Sequence, residues 1–114
     1  MATYDKYIYN LAPYQEGNEA DFEFELDENF PLEEVGDISF QARNPKGRLI
    51  MPEKTLLTNT LTLTARVVNI PFSADEMKGI ADKHQYEIDF LNLQGKPFIT
   101  IGGVLPINAE INRK

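Results

Sequence analysis

The sequence predicts an all-β fold, namely an immunoglobulin-like antiparallel β-sandwich of about seven or eight strands with one short helix. Short runs in which apolar and polar residues alternate support this prediction, because alternation turns every second side chain of a strand to one sheet face. Glycine, proline and asparagine separate the runs at intervals of roughly 8 to 12 residues, the spacing of turns in such sandwiches. We expect residues 1–114 to form a single domain.

Two segments with the same pattern indicate two hairpins. Residues 38–48 (ISFQARNPKGR) and 86–96 (YEIDFLNLQGK) each alternate and then reach Asn-x-x-Gly followed by a basic residue. Gly47 and Gly95 supply the positive φ that a tight turn needs. Each segment therefore predicts a strand, a turn and a returning strand, and we interpret the two copies as hairpins on opposite sheets.

Before the first hairpin, the alternation predicts two strands and a loop. Residues 4–11 form the first strand, which we expect at a sheet edge and ended by Pro13. Residues 21–27 alternate apolar side chains with carboxylates, which predicts a half-buried strand with a carboxylate outer face. Residues 28–37 form a loop, and the first hairpin then occupies residues 38–51.

The second half of the chain predicts more strands and the only helix. Residues 60–65 alternate leucine with threonine, and the apolar register then shifts by one position, which predicts a turn or bulge at residues 65–67. Residues 73–82 predict the helix, because Ser73 and Glu76 are spaced as a capping box at its start. The remaining predicted elements are the second hairpin and a last short strand, residues 86–104 and 107–111.

Composition and charge exclude several classes of function. The chain of 114 residues has a net charge of −7 and no cysteine. Disulfides and thiolate sites are excluded, and nucleic acid is an unfavourable partner because Lys and Arg supply most of the affinity for phosphates. No apolar stretch approaches the roughly 20 residues of a spanning helix, and no secretory signal is visible. We therefore expect neither nucleic acid nor membrane as a partner, and a protein that stays where it is made unless a larger particle carries it out.

No constellation of side chains predicts catalysis or a cofactor. The only histidine, His84, is interpreted as a cap or surface residue just past the predicted helix. The acidic residues alternate along a strand, without the arrangement across a cleft that glycoside hydrolysis requires. We expect a protein that is not an enzyme and uses no cofactor.

The acidic residues are concentrated in one part of the chain. Ten of the 18 lie between Glu16 and Asp37. Three interpretations are open: a solvated strand face, a docking face for a basic partner, and a calcium site, since Ca²⁺ takes about six to eight oxygen ligands. The side chains available for a calcium site are Asp27, Glu28, Asn29, Glu33, Glu34 and Asp37.

Two surfaces are candidate partner interfaces, an N-terminal strand rich in tyrosine and a face of threonines. Tyrosines are concentrated near the N-terminus, and two interpretations are open: core or local packing, and an assembly interface, which tyrosine favours because it is half apolar and half polar. A threonine face on the strand predicted at residues 60–65 carries no charge, so as an exposed edge it would invite another chain to pair. The predicted interface residues are Tyr4, Tyr7, Tyr9, Thr60, Thr62 and Thr64.

The order of several motifs resembles a known group of virion proteins. ISFQARNPKGRLI is similar to the strand, DPKGK-type turn and strand of small immunoglobulin-like modules in tailed bacteriophages, such as baseplate upper protein N-terminal domains and tail-fibre modules. VVNIPFSADEM resembles their strand that ends in a helix start, and YEIDFLNLQGKPFITIGGVLPINAEI resembles their terminal strands. MATYD, followed by an alternating stretch, resembles their opening strand.

The resemblance implies a non-enzymatic structural protein of the phage virion. It would be an immunoglobulin-like adaptor or decoration module of the tail, baseplate, fibre or head, made in the host cytoplasm, forming homo-oligomers and docking on other virion proteins. The family's modules often lead into a longer fibre or receptor-binding domain, whereas this sequence stops at Lys114, so a stand-alone adaptor or decoration protein is expected. The alternative is a stand-alone carbohydrate- or calcium-binding β-sandwich module.

Overall fold

The computed structural model describes residues 5–8 and 14–109, and within them the chain is mostly strand. The all-β prediction is confirmed. The described strands are β1 (Asp5–Ile8), β2 (Tyr14–Gln15), β3 (Ala20–Glu25), β4 (Asp37–Arg43), β5 (Lys54–Thr55), β6 (Thr62–Thr64), β7 (Val67–Phe72), β8 (Asp82–Leu91) and β9 (Pro97–Asn108).

The strands form two sheets with the partition of an immunoglobulin-like sandwich. The large sheet has the order β1-β9-β8-β4-β5, with β2 also on β9, and the small sheet has the order β3-β7-β6. Immunoglobulin folds of the constant type likewise place strands B, E and D opposite strands C, F and G, but their first strand A lies beside B, whereas β1 here lies beside β9 in the large sheet. The prediction of antiparallel sheets is wrong for two strands, because β1 and β2 both run parallel to β9. Alternation indicates which face of a strand is buried and contains no information on the direction of its neighbour.

Both predicted hairpin turns form, with the same hydrogen bonds. Asn44 accepts from the backbone N–H groups of Gly47 and Arg48, through its carbonyl and its side chain respectively, at 2.8 and 3.0 Å. Asn92 does the same with Gly95 and Lys96 at 2.9 and 3.0 Å. The two glycines have φ values of +86° and +80°.

The prediction that these hairpins lie on opposite sheets is wrong. β4 and β8 are antiparallel neighbours in the large sheet, with Ile38 opposite Phe90 and Ala42 opposite Tyr86. The repeated apolar pattern arises because both strands turn one face to the same core. Since the strands run in opposite directions, their two turns lie at opposite ends of the sandwich.

The predicted helix at residues 73–82 does not form, although its capping box does. The backbone N–H of Ser73 donates to Glu76 Oε1 at 3.0 Å, and the N–H of Glu76 donates to Ser73 Oγ at 3.1 Å. One helical hydrogen bond follows, from the N–H of Met77 to the carbonyl of Ser73. Gly79 then takes a φ of +73°, and turns fill the rest. So short a segment lacks the cooperativity to propagate a helix.

Among the described residues, the helical element is a single 3₁₀ turn, Leu32–Glu34. Within the same residues, no helix has the length and apolar character to cross a membrane.

The register shift predicted at residues 65–67 is confirmed as a turn. Thr64 pairs with Val67, which leaves Ala65 and Arg66 as a two-residue hairpin connection. Ala65 has a φ of +54°, as the first position of such turns demands. The strand before it is shorter than predicted and covers only Thr62–Thr64.

Apolar side chains from both sheets form one core. Phe40 of the large sheet contacts Phe72 of the small sheet with ring centroids 5.5 Å apart, and Tyr86 contacts Phe22 at 5.6 Å. Burying one such side chain stabilises the fold by about 1.5–3 kcal/mol. The core therefore holds the sheets face to face, and their polar side chains lie on the two outer faces and at the edges.

Candidate functional site

The tyrosine strand lies at an edge of the large sheet, as predicted. Tyr7 is in β1, opposite Ile101 of β9, and no other strand of residues 5–8 and 14–109 pairs with β1. Tyr4 and Tyr9 lie outside the described residues. The place of Tyr7 at the sheet edge is thus confirmed, and its role in an interface stays a prediction.

The predicted threonine surface is only partly assembled. Thr62 and Thr64 are exposed on β6, an edge strand of the small sheet. Thr60 precedes β6 and belongs to a loop, where its hydroxyl accepts from the N–H of Thr55 at 2.7 Å and contacts the hydroxyl of Thr58 at 3.0 Å. The prediction that Thr60 belongs to the strand face is therefore wrong, because local hydroxyl–backbone hydrogen bonds compete with strand pairing.

The carboxylate face predicted for residues 21–27 forms over residues 21–25, because β3 ends at Glu25 and Asp27 lies outside it, and two neighbouring strands extend this face. Phe22 is buried, whereas Asp21, Glu23 and Glu25 are exposed on β3. The register places Glu23 opposite Asn69 of β7, which in turn is opposite Thr62 of β6. We call the outward side chains of this small sheet the acidic face. Its members are Asp21, Glu23, Glu25, Thr62, Thr64, Val67, Asn69 and Pro71.

The residues considered for calcium do not converge. Asp27 Oδ1 accepts from the N–H of Asn29 at 3.1 Å, which closes a local turn. Asp37 Oδ1 accepts from the N–H groups of Ile38 and Leu57 at 2.8 and 3.1 Å. Within the described part of the chain, no group of three or more Asp, Glu, His or Cys side chains is placed to hold a metal ion.

His84 is a core residue of β8 and is only 3% exposed, so the surface interpretation is wrong. Its Nε2 contacts the carbonyl oxygen of Ile80 and so caps the end of the turn segment, although the helix that it was expected to follow does not form. A carbonyl accepts only, so Nε2 bears the proton and donates. The buried Nδ1 has no hydrogen-bond partner among the described residues.

A groove of about 480 Å³ opens at one end of the acidic face. Asp21 and Pro71 belong to both the face and the groove, which continues to Glu19, Lys54 and Glu76. The loop before β6 and the end of β7 supply its other walls. The groove is therefore formed where the small sheet meets the β5 edge of the large one.

A buried ion pair lies in the groove. Lys54 is 6% exposed, and its Nζ donates to Glu76 Oε1 and Oε2 at 2.9 and 2.8 Å. The same ammonium lies 6.0 Å from the centroid of the Phe72 ring. Burial opposes ionisation of Glu76, but the hydrogen bonds from Lys54 and Ser73 outweigh it and lower the pKa of this carboxyl below its ordinary value.

Sequence reasoning missed this groove. The sequence pattern identifies Glu76 only as a capping residue and assigns no role to Lys54. One signal was present, since Lys54 is the only basic residue between Arg48 and Arg66. Its partner is 22 positions away, however, and no local pattern indicates a pairing at that separation.

Fold and site together define an immunoglobulin-like β-sandwich with an acidic outer face and a charged groove. Comparison with known proteins adds no relative, because neither a family model nor a curated protein matches the chain. The function is therefore argued from the surfaces themselves.

Proposed function

We propose that this protein is a non-enzymatic structural module of a tailed-phage virion, an adaptor or decoration protein that assembles with copies of itself and with other virion proteins. The motif order described above supports the assignment to virions. The observation that carries assembly is the open edge of the large sheet, formed by the tyrosine strand β1.

A strand at an open sheet edge can pair with a strand of another protein. β1 pairs with residues 99–102 of β9 along one side only, within the part of the chain that the structure describes. The N–H and C=O groups on the other side of an edge strand are available to a further strand, which is how many β-sheet proteins join partners. Of the three tyrosines predicted for the interface, Tyr7 is the one that the structure describes, and it lies on this strand.

Virion membership is tested by mass spectrometry of purified particles of the virus that encodes the chain. The account predicts that the protein copurifies with particles in multiple copies and stays with them through a density gradient. Its absence from purified particles, while it is present in the infected-cell lysate, would overturn the assignment.

The groove favours a second candidate, a free carbohydrate-binding module, because it combines carboxylates, hydroxyls and an ammonium group. A thermal melt against a panel of glycans distinguishes the two. A glycan present at 100 times its Kd would stabilise the protein by about 2.7 kcal/mol. A melting temperature that no glycan changes leaves the structural module as the better account.

A further inference from the structure

The charged side chains of the acidic face all carry the same sign. Asp21, Glu23 and Glu25 give it a formal charge of −3, and none of its three strands contains Lys or Arg. Arg66, in the adjacent turn, directs its guanidinium to the carbonyl of Asp27 at 2.7 Å. Glu23 accepts one weak hydrogen bond from Asn69 at 3.4 Å, and within residues 5–8 and 14–109 no ion pair involves Glu23.

The groove continues this charge pattern. The ammonium of Lys54 is engaged by Glu76, so it does not neutralise the other two acids of the groove, Glu19 and Asp21. Three carboxylates and one ammonium leave the groove with a formal charge of −2. An anionic ligand is disfavoured here, and a cationic side chain is favoured.

The spacing of the carboxylates indicates the shape of the occupant. Residues two apart on a strand are separated by roughly 7 Å, which is too far for Asp21, Glu23 and Glu25 to share one metal ion. The same distance separates alternate side chains of another extended chain. The face therefore complements an extended segment with a basic residue at every second position.

We propose that the acidic face docks an extended basic segment of a partner protein, with one Lys or Arg side chain entering the groove beside Glu19 and Asp21. This inference rests on the proposed assembly function and names the chemistry of one partner. Single exposed ion pairs contribute little, so binding comes from the row of charges acting together and weakens as salt rises.

The test is a titration of the protein with a synthetic peptide, acetyl-GKTKTKTG-amide, followed by amide chemical shifts. The matched peptide acetyl-GTTKKKTG-amide has the same composition with its lysines consecutive. The account predicts that the alternating peptide binds more tightly and shifts the amides of β3, β6 and β7. Equal affinity for both peptides, or shifts spread evenly over the acidic residues, would overturn the proposal.

Two sets of variants locate the binding. Replacing Asp21 by Asn and both Glu23 and Glu25 by Gln is expected to weaken the alternating peptide by about tenfold or more. A control that replaces Glu28, Glu33 and Glu34 by Gln removes the same charge from exposed positions outside the face, and screening limits its effect to about twofold. Equal losses in the two variants would contradict the proposal, and circular dichroism verifies that both are folded.

Glu19→Gln tests the groove separately, because Glu19 lines the groove and is not on the sheet face. The affinity for the alternating peptide is expected to fall about threefold, and an unchanged affinity would overturn entry of a basic side chain into the groove.

Failure of the docking surface and failure of the assembly function give different results. If the protein is present in virions but does not bind the peptide, only the docking surface is refuted. If it binds the peptide but is absent from particles, only the virion assignment is refuted.

Discussion

Lys54 and Glu76 join two distant parts of the chain through a bidentate ion pair, with Nζ–Oε distances of 2.9 and 2.8 Å. Lys54 lies on β5 in the large sheet, and Glu76 follows β7 of the small sheet. Glu76 also accepts from the N–H of Ser73, so one carboxylate closes a local turn and holds the buried ammonium. The pair thereby ties the edge of one sheet to the end of the other.

Removing either partner should have unequal effects on stability. Glu76→Gln is expected to lower the free energy of unfolding by about 2 kcal/mol, because it leaves a buried ammonium without its counter-charge. Lys54→Met should cost less, since it removes the charge from the more buried position, while Glu76 keeps 25% of its side chain exposed. Urea unfolding of both variants measures the difference, and a larger loss in Lys54→Met would contradict this description of the pair.

The pair also predicts how stability depends on pH. Because the pKa of Glu76 is lowered from its ordinary value of 4.5 in the folded protein, its contribution is complete above pH 4.5. The contribution is lost as the pH falls through the lowered pKa of the folded state. Wild type should therefore lose more stability than Glu76→Gln on acidification through this range. Parallel pH–stability curves for the two proteins would contradict the prediction.

Alanine should destabilise the protein more at Gly36 than at Gly47 or Gly95. Gly47 and Gly95 have positive φ and open space around them, so alanine there costs about 1 kcal/mol of backbone strain. A Cβ on Gly36 would lie 2.5 Å from the carbonyl oxygen of Asn92, which is backbone and cannot rotate away. Gly36→Ala should therefore cost more, about 2 kcal/mol.

The order of the three alanine variants is the measurable result. Denaturant midpoints of Gly36→Ala, Gly47→Ala and Gly95→Ala, determined with the wild type, give it directly. The close approach at Gly36 is inferred from structure alone, so a Gly36→Ala protein as stable as the two turn variants would contradict it.

The part of the fold that was predictable is the part controlled by neighbouring residues. The exposure of Asp21 and burial of Phe22 follow from alternation, and the turns at Gly47 and Gly95 follow from the φ values that glycine permits. The antiparallel pairing of β4 with β8 and the parallel pairing of β1 with β9 depend on contacts between distant segments. Alternation does not encode such neighbours.

The helix and the groove illustrate the same limit. The capping box of Ser73 and Glu76 forms as predicted, but a cap specifies where a helix begins and does not provide the turns that continue it. Glu76 is instead held by Lys54, which lies 22 positions earlier. The candidate site thus forms where two sheets meet, and a pattern in neighbouring residues cannot predict such a contact.

The central claim, assembly through the tyrosine edge strand, is tested most directly by the mass of the protein in solution. Light scattering after size exclusion is expected to show an oligomer for wild type and a smaller species for the variant with Tyr7→Ser and Tyr9→Ser, both with the same circular dichroism spectrum. Leu57→Ser is the control, since Leu57 is 72% exposed and follows β5 at the opposite edge of the large sheet. The control should assemble like wild type. An oligomer that is unchanged by the tyrosine substitutions, or a wild-type protein that is monomeric at all concentrations, would contradict the account.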